Sequence, residues 1–178
     1  MGLPEKIVAV HESLDKAGLR YAFGGALALA WCTGRARGTI DIDVNVFVNL
    51  DQANVVLRAL PEAVQHSPEH LTELRREGQV RLWWDRTPLD IFLDSTEFHR
   101  EVAERIRWET FMGQSLPFLG CQDLAVFKAF FNRTKDWADL EEMCSAGTIE
   151  PAAVAEVLTR FLGDDDERIS HLMRLEAP

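Results

Sequence analysis

The stretch RGTIDIDVNVFV, Arg37 to Val48, alternates hydrophobic residues with others in the period-two pattern of a β-strand. Because side chains two residues apart share a face, one face is predicted to hold Ile40, Ile42, Val44, Val46 and Val48. The other face holds Asp41 and Asp43, whose carboxylates repel each other at this spacing. The pair predicts either a solvent-facing edge strand or a site that binds a hard cation such as Mg²⁺.

The composition is that of a globular protein. The chain has 178 residues, 47% of them hydrophobic, which predicts one domain or one domain with a small appendage. The start MGLPEKIVAV has no apolar run typical of a signal peptide, and no later stretch is long enough to span a bilayer. We therefore expect a cytoplasmic protein with no membrane partner. The formal net charge of −10 disfavours nonspecific binding to nucleic acid.

The cysteines predict neither a disulfide framework nor a zinc site. Cys32, Cys121 and Cys144 are far apart, odd in number and form no C-x-x-C pair. This pattern favours a reducing compartment.

The predicted secondary structure changes character near residue 120. Before it, helices alternate with short strands, including a hairpin of GQVRLWW and LDIFLD around the turn DRTP and a second pair of RWETFM and SLPFL. After it, every segment has a helical pattern. The expected class is α+β with an α/β core: residues 1–120 form a sheet flanked by helices, and residues 121–178 form a helical region packed on it.

Three neighbours strengthen the cation-site interpretation of Asp41 and Asp43. FGG, Phe23 to Gly25, ends a predicted strand and opens a helix, where glycine allows backbone N–H groups to approach a phosphate. Asp90 in PLDIFL is another acid among apolar strand residues, and it completes a three-carboxylate cluster if its strand lies beside the first. Arg37 and Thr39 immediately precede the acids.

Together these residues give Gly-Gly, then R-x-T-x-D-I-D, then a later acid between apolar residues. This order resembles the signature of the nucleotidyltransferase superfamily that includes DNA polymerase β, over about Tyr21 to Met143. The form GGALAL is similar to that of the small abortive-infection toxin and antibiotic nucleotidyltransferase branch. The resemblance implies a mixed β-sheet of the nucleotidyltransferase type.

The resemblance also implies an activity and its residues. Asp41, Asp43 and Asp90 would be the catalytic residues and would hold two Mg²⁺ ions, with Mn²⁺ as an alternative. Gly24 and Gly25 would donate to the phosphates of an NTP such as ATP, although the family often has serine at the second position. Arg37 and Thr39 would complete this nucleotide-binding loop.

A further resemblance lies in DLAVFKAFFNRTKDWADLEEM. By similarity Lys128 would point at the triphosphate, and Arg133 and Lys135 would add positive charge. Asp136 and Asp139 share a helix face and would orient these basic side chains or the acceptor. The alternative interpretation is structural: Lys128 is solvated, and the two acids favour a helix N-terminus.

The implied function is transfer of an NMP group from an NTP to a hydroxyl acceptor with release of pyrophosphate. The acceptor could be a tRNA end, a protein or a small antibiotic, and the branch includes toxins that have a partner antitoxin. The alternative is a non-catalytic nucleotide-binding or antitoxin-like regulatory protein, against which the three acids argue. A glycosyltransferase that uses D-x-D is a weaker third class. Trp83 and Trp84 could stack a base but are more typical of a core.

Overall fold

The computed structural model describes residues 1–36 and 38–175. Arg37, predicted to bind nucleotide, lies outside the described residues. The strands are β1 (Tyr21–Phe23), β2 (Ile42–Val46), β3 (Gln79–Trp84), β4 (Thr87–Leu93), β5 (Arg107–Phe111) and β6 (Gln114–Phe118). The helices are α1 (Leu3–Lys16), α2 (Gly25–Thr33), α3 (Ala53–Ala59), α4 (Pro68–Glu77), α5 (Glu97–Ala103), α6 (Cys121–Phe131), α7 (Thr134–Ser145), α8 (Pro151–Leu162) and α9 (Glu167–Leu175).

The strands form one mixed sheet in the order β3-β4-β2-β1-β6-β5. Strand β2 runs parallel to β4 and antiparallel to β1, and β1 runs parallel to β6. The pairs β3–β4 and β5–β6 are antiparallel hairpins. The predicted α+β class, the mixed sheet and both hairpins are therefore confirmed.

One face of this sheet is continuous apolar core. Ile42, Leu89 and Leu82 are register partners across three strands, and each is fully buried. Lys6 of α1 donates to the Trp84 carbonyl oxygen at 2.8 Å, and its ammonium lies 5.5 Å from the centre of the Trp84 ring. Because the Trp84 side chain belongs to the core face, α1 packs on that face and leaves the opposite face for the acidic residues.

The opening stretch forms a shorter strand than its alternation predicts. Strand β2 begins only at Ile42, and Ile40 is 70% exposed, so its predicted place on the buried face is wrong. The reason is a local turn, in which the Asp41 N–H donates to the Thr39 hydroxyl at 3.2 Å. Asp41 therefore lies immediately before the strand, and Asp43 lies within it.

The chain divides into two compact units. The first comprises Met1–Leu27 and Gly38–Leu119 and contains the sheet; the second comprises the described parts of Ala28–Arg37 and Gly120–Pro178 and is helical. The division into domains at residues 120 and 121 stays a prediction, and the described residues 28–36 group with the C-terminal helices. None of the helices described here has both the length and the apolar character needed to span a membrane.

The helical unit contains a disulfide that the cysteine pattern did not predict. Cys32 and Cys121 are bonded, with their Cα atoms 5.5 Å apart and a sequence separation of 89. The expectation of no disulfide was wrong because sequence separation does not reveal which cysteines the fold brings together. Such bonds are typical of oxidising compartments, so the cytoplasmic location stays a prediction.

Candidate functional site

The acidic residues lie in a row on the open face of the sheet. Asp43 on β2 and Asp90 on β4 are register partners in the parallel pair. Arg81 on β3 is in turn the register partner of Asp90 in the antiparallel pair. Residues in register project to the same face, so Asp43, Asp90 and Arg81 line up across three adjacent strands. The strand of Asp90 thus lies beside that of Asp43, as the cluster hypothesis requires.

Arg81 is the counter-ion of this row. Its Nε donates to Asp90 Oδ1 at 2.7 Å, and its Nη2 donates to Asp90 Oδ2 at 2.6 Å. The same Nη2 lies 3.6 Å from Asp41 Oδ2. The hydrogen bonds to Asp90 raise the pKa of the Arg81 guanidinium, and the charges of Asp41 and Asp43 act in the same direction. The repulsion among the acids is thus offset by a cation from the protein itself.

Sequence reasoning did not single out Arg81, although the hairpin carried the signal. With Asp85 and Arg86 as the turn, the register of β3 on β4 places Arg81 opposite Asp90. The same register places Trp83 on this open face, where it is 44% exposed and therefore not a core residue.

The glycine turn lies directly against Asp43. Gly24, which follows β1, donates its N–H to the Asp43 carbonyl oxygen at 2.9 Å. Gly25 opens α2 with φ +52°, and a Cβ there would lie 1.9 Å from Asp43 Oδ2. Only glycine fits this position, because of both the positive φ and the adjacent carboxylate. The turn and the acidic row therefore occupy neighbouring positions on the first unit.

The segment that leads into the acids is partly exposed, with Gly38 and Ile40 exposed and Thr39 and Asp41 half-buried. Gly38, Thr39, Ile40 and Asp41 line an open depression of the surface. The Thr39 hydroxyl interacts with the backbone of Asp41, so this side chain shapes the turn ahead of the site. Binding of a nucleotide by Thr39 stays a prediction.

The carboxylates suit a divalent cation in kind, because hard oxygen ligands are those that Mg²⁺ prefers. In this structure the guanidinium of Arg81 donates hydrogen bonds to both carboxylate oxygens of Asp90. Over residues 1–36 and 38–175, no three acidic, histidine or cysteine side chains converge closely enough to hold a metal ion. The metal-binding role of Asp41, Asp43 and Asp90 therefore stays a prediction.

The second unit contains a buried ionic network. Lys128 Nζ donates to Asp139 Oδ2 at 2.5 Å and lies 3.7 Å from Asp136 Oδ1. Arg133 Nε donates to Asp136 Oδ2 at 2.6 Å. Lys128 is 7% exposed, and both aspartates are almost fully buried, whereas Lys135 is exposed. The structure thus brings Lys128 and Asp136 together in a network whose positive and negative charges balance. Nucleotide binding by Lys128, Asp136 and Lys135 stays a prediction.

Comparison with known proteins gives likeness in structure alone. No protein-family model and no curated protein matches the sequence. The solution structure of the antibiotic-resistance factor ANT(2'')-Ia has a TM-score of 0.63 at 12% identity and covers 96% of both chains. The crystal structure of ANT(2'')-Ia in complex with adenylyl-2''-tobramycin has a TM-score of 0.59 at 14% identity, over 96% of this chain and 97% of that one.

A third similar structure is an antigenic nucleotidyltransferase-like protein from Paracoccidioides brasiliensis. It has a TM-score of 0.55 at 15% identity and covers 94% of this chain and 91% of its own. Identities this low establish architecture but not chemistry. The sheet order, the hairpins and these three likenesses agree, and the chain has the fold of the nucleotidyltransferases.

Proposed function

We propose that this protein transfers a nucleoside monophosphate from an NTP to a hydroxyl acceptor and releases pyrophosphate. The observation that carries the proposal is the row of Asp43 and Asp90 beside the Gly24–Gly25 turn, on one face of a sheet with the nucleotidyltransferase fold. The acceptor oxygen would bond to the α-phosphorus, the bond from that phosphorus to pyrophosphate would break, and the hydroxyl proton would pass to a carboxylate.

The glycine turn would bind the phosphates through the start of α2. The Gly24 N–H is already used by the Asp43 carbonyl oxygen, so it is not available as a donor. The first N–H groups of a helix have no partner within the helix, and their dipoles favour an anion. Gly25 and Ala26, the first residues of α2, therefore supply the phosphate donors in this proposal.

Asp41 and Asp43 would hold the divalent cation, and Asp90 would join them once its oxygens leave Arg81. When bound, Mg²⁺ would lower the charge barrier between the carboxylates, the acceptor oxygen and the phosphates. Asp90 is the candidate acceptor of the hydroxyl proton, because it lies beside Asp43 with its side chain only 15% exposed. The use of two Mg²⁺ ions, with Mn²⁺ as an alternative, belongs to the same proposal.

Among the three acceptor classes, a small hydroxyl compound has the most support. The net charge of −10 disfavours a long polyanion such as tRNA and favours a cationic molecule. The similar ANT(2'')-Ia was crystallised with adenylyl-2''-tobramycin, and that protein and this chain cover each other almost completely. Trp83, half-exposed on the face of Asp90, offers an apolar wall for a ring. Transfer to a protein hydroxyl, with a toxin role opposed by an antitoxin, is the other acceptor class of this proposal.

One observation favours the non-catalytic alternative, which is nucleotide binding without turnover. Arg81 offsets part of the repulsion among the acids, so the presence of three carboxylates does not by itself require a metal ion. Calorimetry separates the two functions: wild type, Asp43→Ala and the control Asp51→Ala are titrated with ATP, GTP, CTP and UTP, with and without Mg²⁺.

The proposed transferase predicts Mg²⁺-dependent binding of at least one NTP by wild type and Asp51→Ala, and none by Asp43→Ala. Asp51 is an exposed acid elsewhere in the first unit, so its removal controls for net charge. Equal binding with and without Mg²⁺, retained in Asp43→Ala, would support the non-catalytic function and contradict the transferase.

A further inference from the structure

We propose that Arg81 is a positioning residue that competes with the divalent cation for Asp90 and Asp41, so that the cation binds well only after an anionic ligand has drawn the guanidinium away. The inference rests on the proposed function for the identity of the cation site. It concerns a side chain that neither the sequence signature nor the fold assigns.

The geometry supports competition. A bidentate guanidinium occupies both oxygens of Asp90, at 2.7 and 2.6 Å, and reaches towards Asp41 Oδ2 at 3.6 Å. A divalent cation bound between these two residues would need the same oxygens and would lie within a few ångströms of a unit positive charge. Two cations at such a distance repel strongly even when the surroundings are partly aqueous.

The position of Arg81 allows it to leave. It lies on β3, the terminal strand in the sheet order, and its side chain is 52% exposed, whereas the side chain of Asp90 is 15% exposed. Rotation of the arginine into solvent therefore disturbs little of the core, while Asp90 is held in place by its strand. The guanidinium is the mobile partner of the pair, and the carboxylate is the fixed one.

The ligand that displaces Arg81 must itself carry a suitable anion. Phosphate oxygens match the fork of a guanidinium as a carboxylate does, and the pair is stronger than a neutral hydrogen bond. An NTP at the neighbouring glycine turn is the anion that the proposed function supplies. Nucleotide and cation would then bind with positive coupling, because each favours the arrangement in which Asp90 is released.

The test measures Mn²⁺ binding without nucleotide, by electron paramagnetic resonance of the free ion, and needs no activity. The variants are Arg81→Gln, which removes the charge, and Arg81→Lys, which keeps the charge but loses the fork. Arg107→Gln is the matched control, since Arg107 pairs with Glu109 on β5 at the other end of the sheet order. Thermal melts confirm that each variant is folded.

Removal of Arg81 is expected to tighten Mn²⁺ binding by roughly tenfold or more, Arg81→Lys to have a smaller effect, and Arg107→Gln to have none. A purely structural role for Arg81 predicts the opposite, because loss of Arg81 would disorder the carboxylates and weaken Mn²⁺ binding. Unchanged or weaker Mn²⁺ binding in folded Arg81→Gln, or equal tightening in Arg107→Gln, would overturn the inference.

A second titration, with a non-hydrolysable NTP present, tests the coupling. With nucleotide present, wild type is expected to bind Mn²⁺ more tightly than it does alone, by more than binding of Mn²⁺ to free nucleotide explains. The same gain is expected to be smaller in Arg81→Gln. Tighter Mn²⁺ binding by Arg81→Gln without any NTP turnover would preserve this inference and refute the transferase. Turnover of NTP by wild type, with unchanged Mn²⁺ affinity in Arg81→Gln, would support the transferase and refute this inference.

Discussion

Gly25 lies so close to Asp43 that a Cβ on the glycine would fall 1.9 Å from the Asp43 Oδ2 atom. The contact joins the helix-opening turn to the acidic row, and it occurs at a backbone φ of +52°. The Asp43 carboxylate thus occupies the space that a side chain at position 25 would need.

The variant Gly25→Ala tests this contact. Its positive φ is expected to cost about 1–2 kcal/mol of unfolding free energy, and the clash with Asp43 about 1–3 kcal/mol more. The control Gly18→Ala has a similar φ of +67° with nothing within 4 Å, so it carries the backbone penalty alone. Urea denaturation measures both. Equal stabilities of the two variants would show that the Asp43 carboxylate moves aside freely.

Lys128→Met tests the buried network of the helical unit. It leaves Asp136 and Asp139 buried without their lysine, so unfolding free energy should fall by about 3–5 kcal/mol. The control Lys135→Met removes the same charge from an exposed position and should change stability by about 0.5 kcal/mol or less. If Lys128→Met were as stable as wild type, the network would not be structural, and the prediction that Lys128 binds the triphosphate would gain weight.

The lowered pKa of His99 predicts that the protein loses stability in mild acid. Burial lowers the pKa of His99 from its ordinary 6.5 to about 4. Between these values the unfolded chain binds a proton at His99 that the folded chain does not. The contribution of His99 to stability is therefore fully present above pH 6.5 and decreases as the pH falls towards 4. The decrease is on the order of 2 kcal/mol.

Urea denaturation at pH 7 and pH 4.5 measures this loss, with His99→Gln as the comparison. The substitution should reduce the difference in unfolding free energy between pH 7 and pH 4.5. A difference of the same size in His99→Gln would assign the acid sensitivity to other groups.

The Cys32–Cys121 bond can be tested by thiol counting. Without reductant, the denatured protein should show one reactive thiol, and after reduction three. Reduction should also lower unfolding free energy by about 2–4 kcal/mol, because the bond restricts the unfolded chain. Three thiols before reduction would show that the two cysteines are neighbours without a bond.

The sequence predicted those features that depend on short-range pattern. Period-two alternation predicted the strand that carries Asp43, whereas Asp41 lies just before it. The turn DRTP predicted the hairpin that contains the strand of Asp90. The turn at Thr39, which exposes Ile40, breaks that alternation locally and could not be read from it.

Features that depend on distant partners were missed. Arg81 was overlooked because its importance arises only from its register with Asp90. The disulfide was overlooked because its cysteines have a sequence separation of 89. The burial of Lys128 between two carboxylates could not be predicted either, because it depends on how the helices fold together, and its role towards phosphate stays a prediction.

Transfer of label from each of the four α-phosphate-labelled NTPs can be followed in a cell lysate, with wild type and Asp43→Asn compared at equal concentration. The proposed function predicts that wild type transfers label from at least one NTP to a discrete acceptor, and that Asp43→Asn, with an unchanged melting temperature, is slower by roughly a hundredfold or more. Transfer at the same rate by both proteins, or no transfer by folded wild type from any NTP, would contradict it.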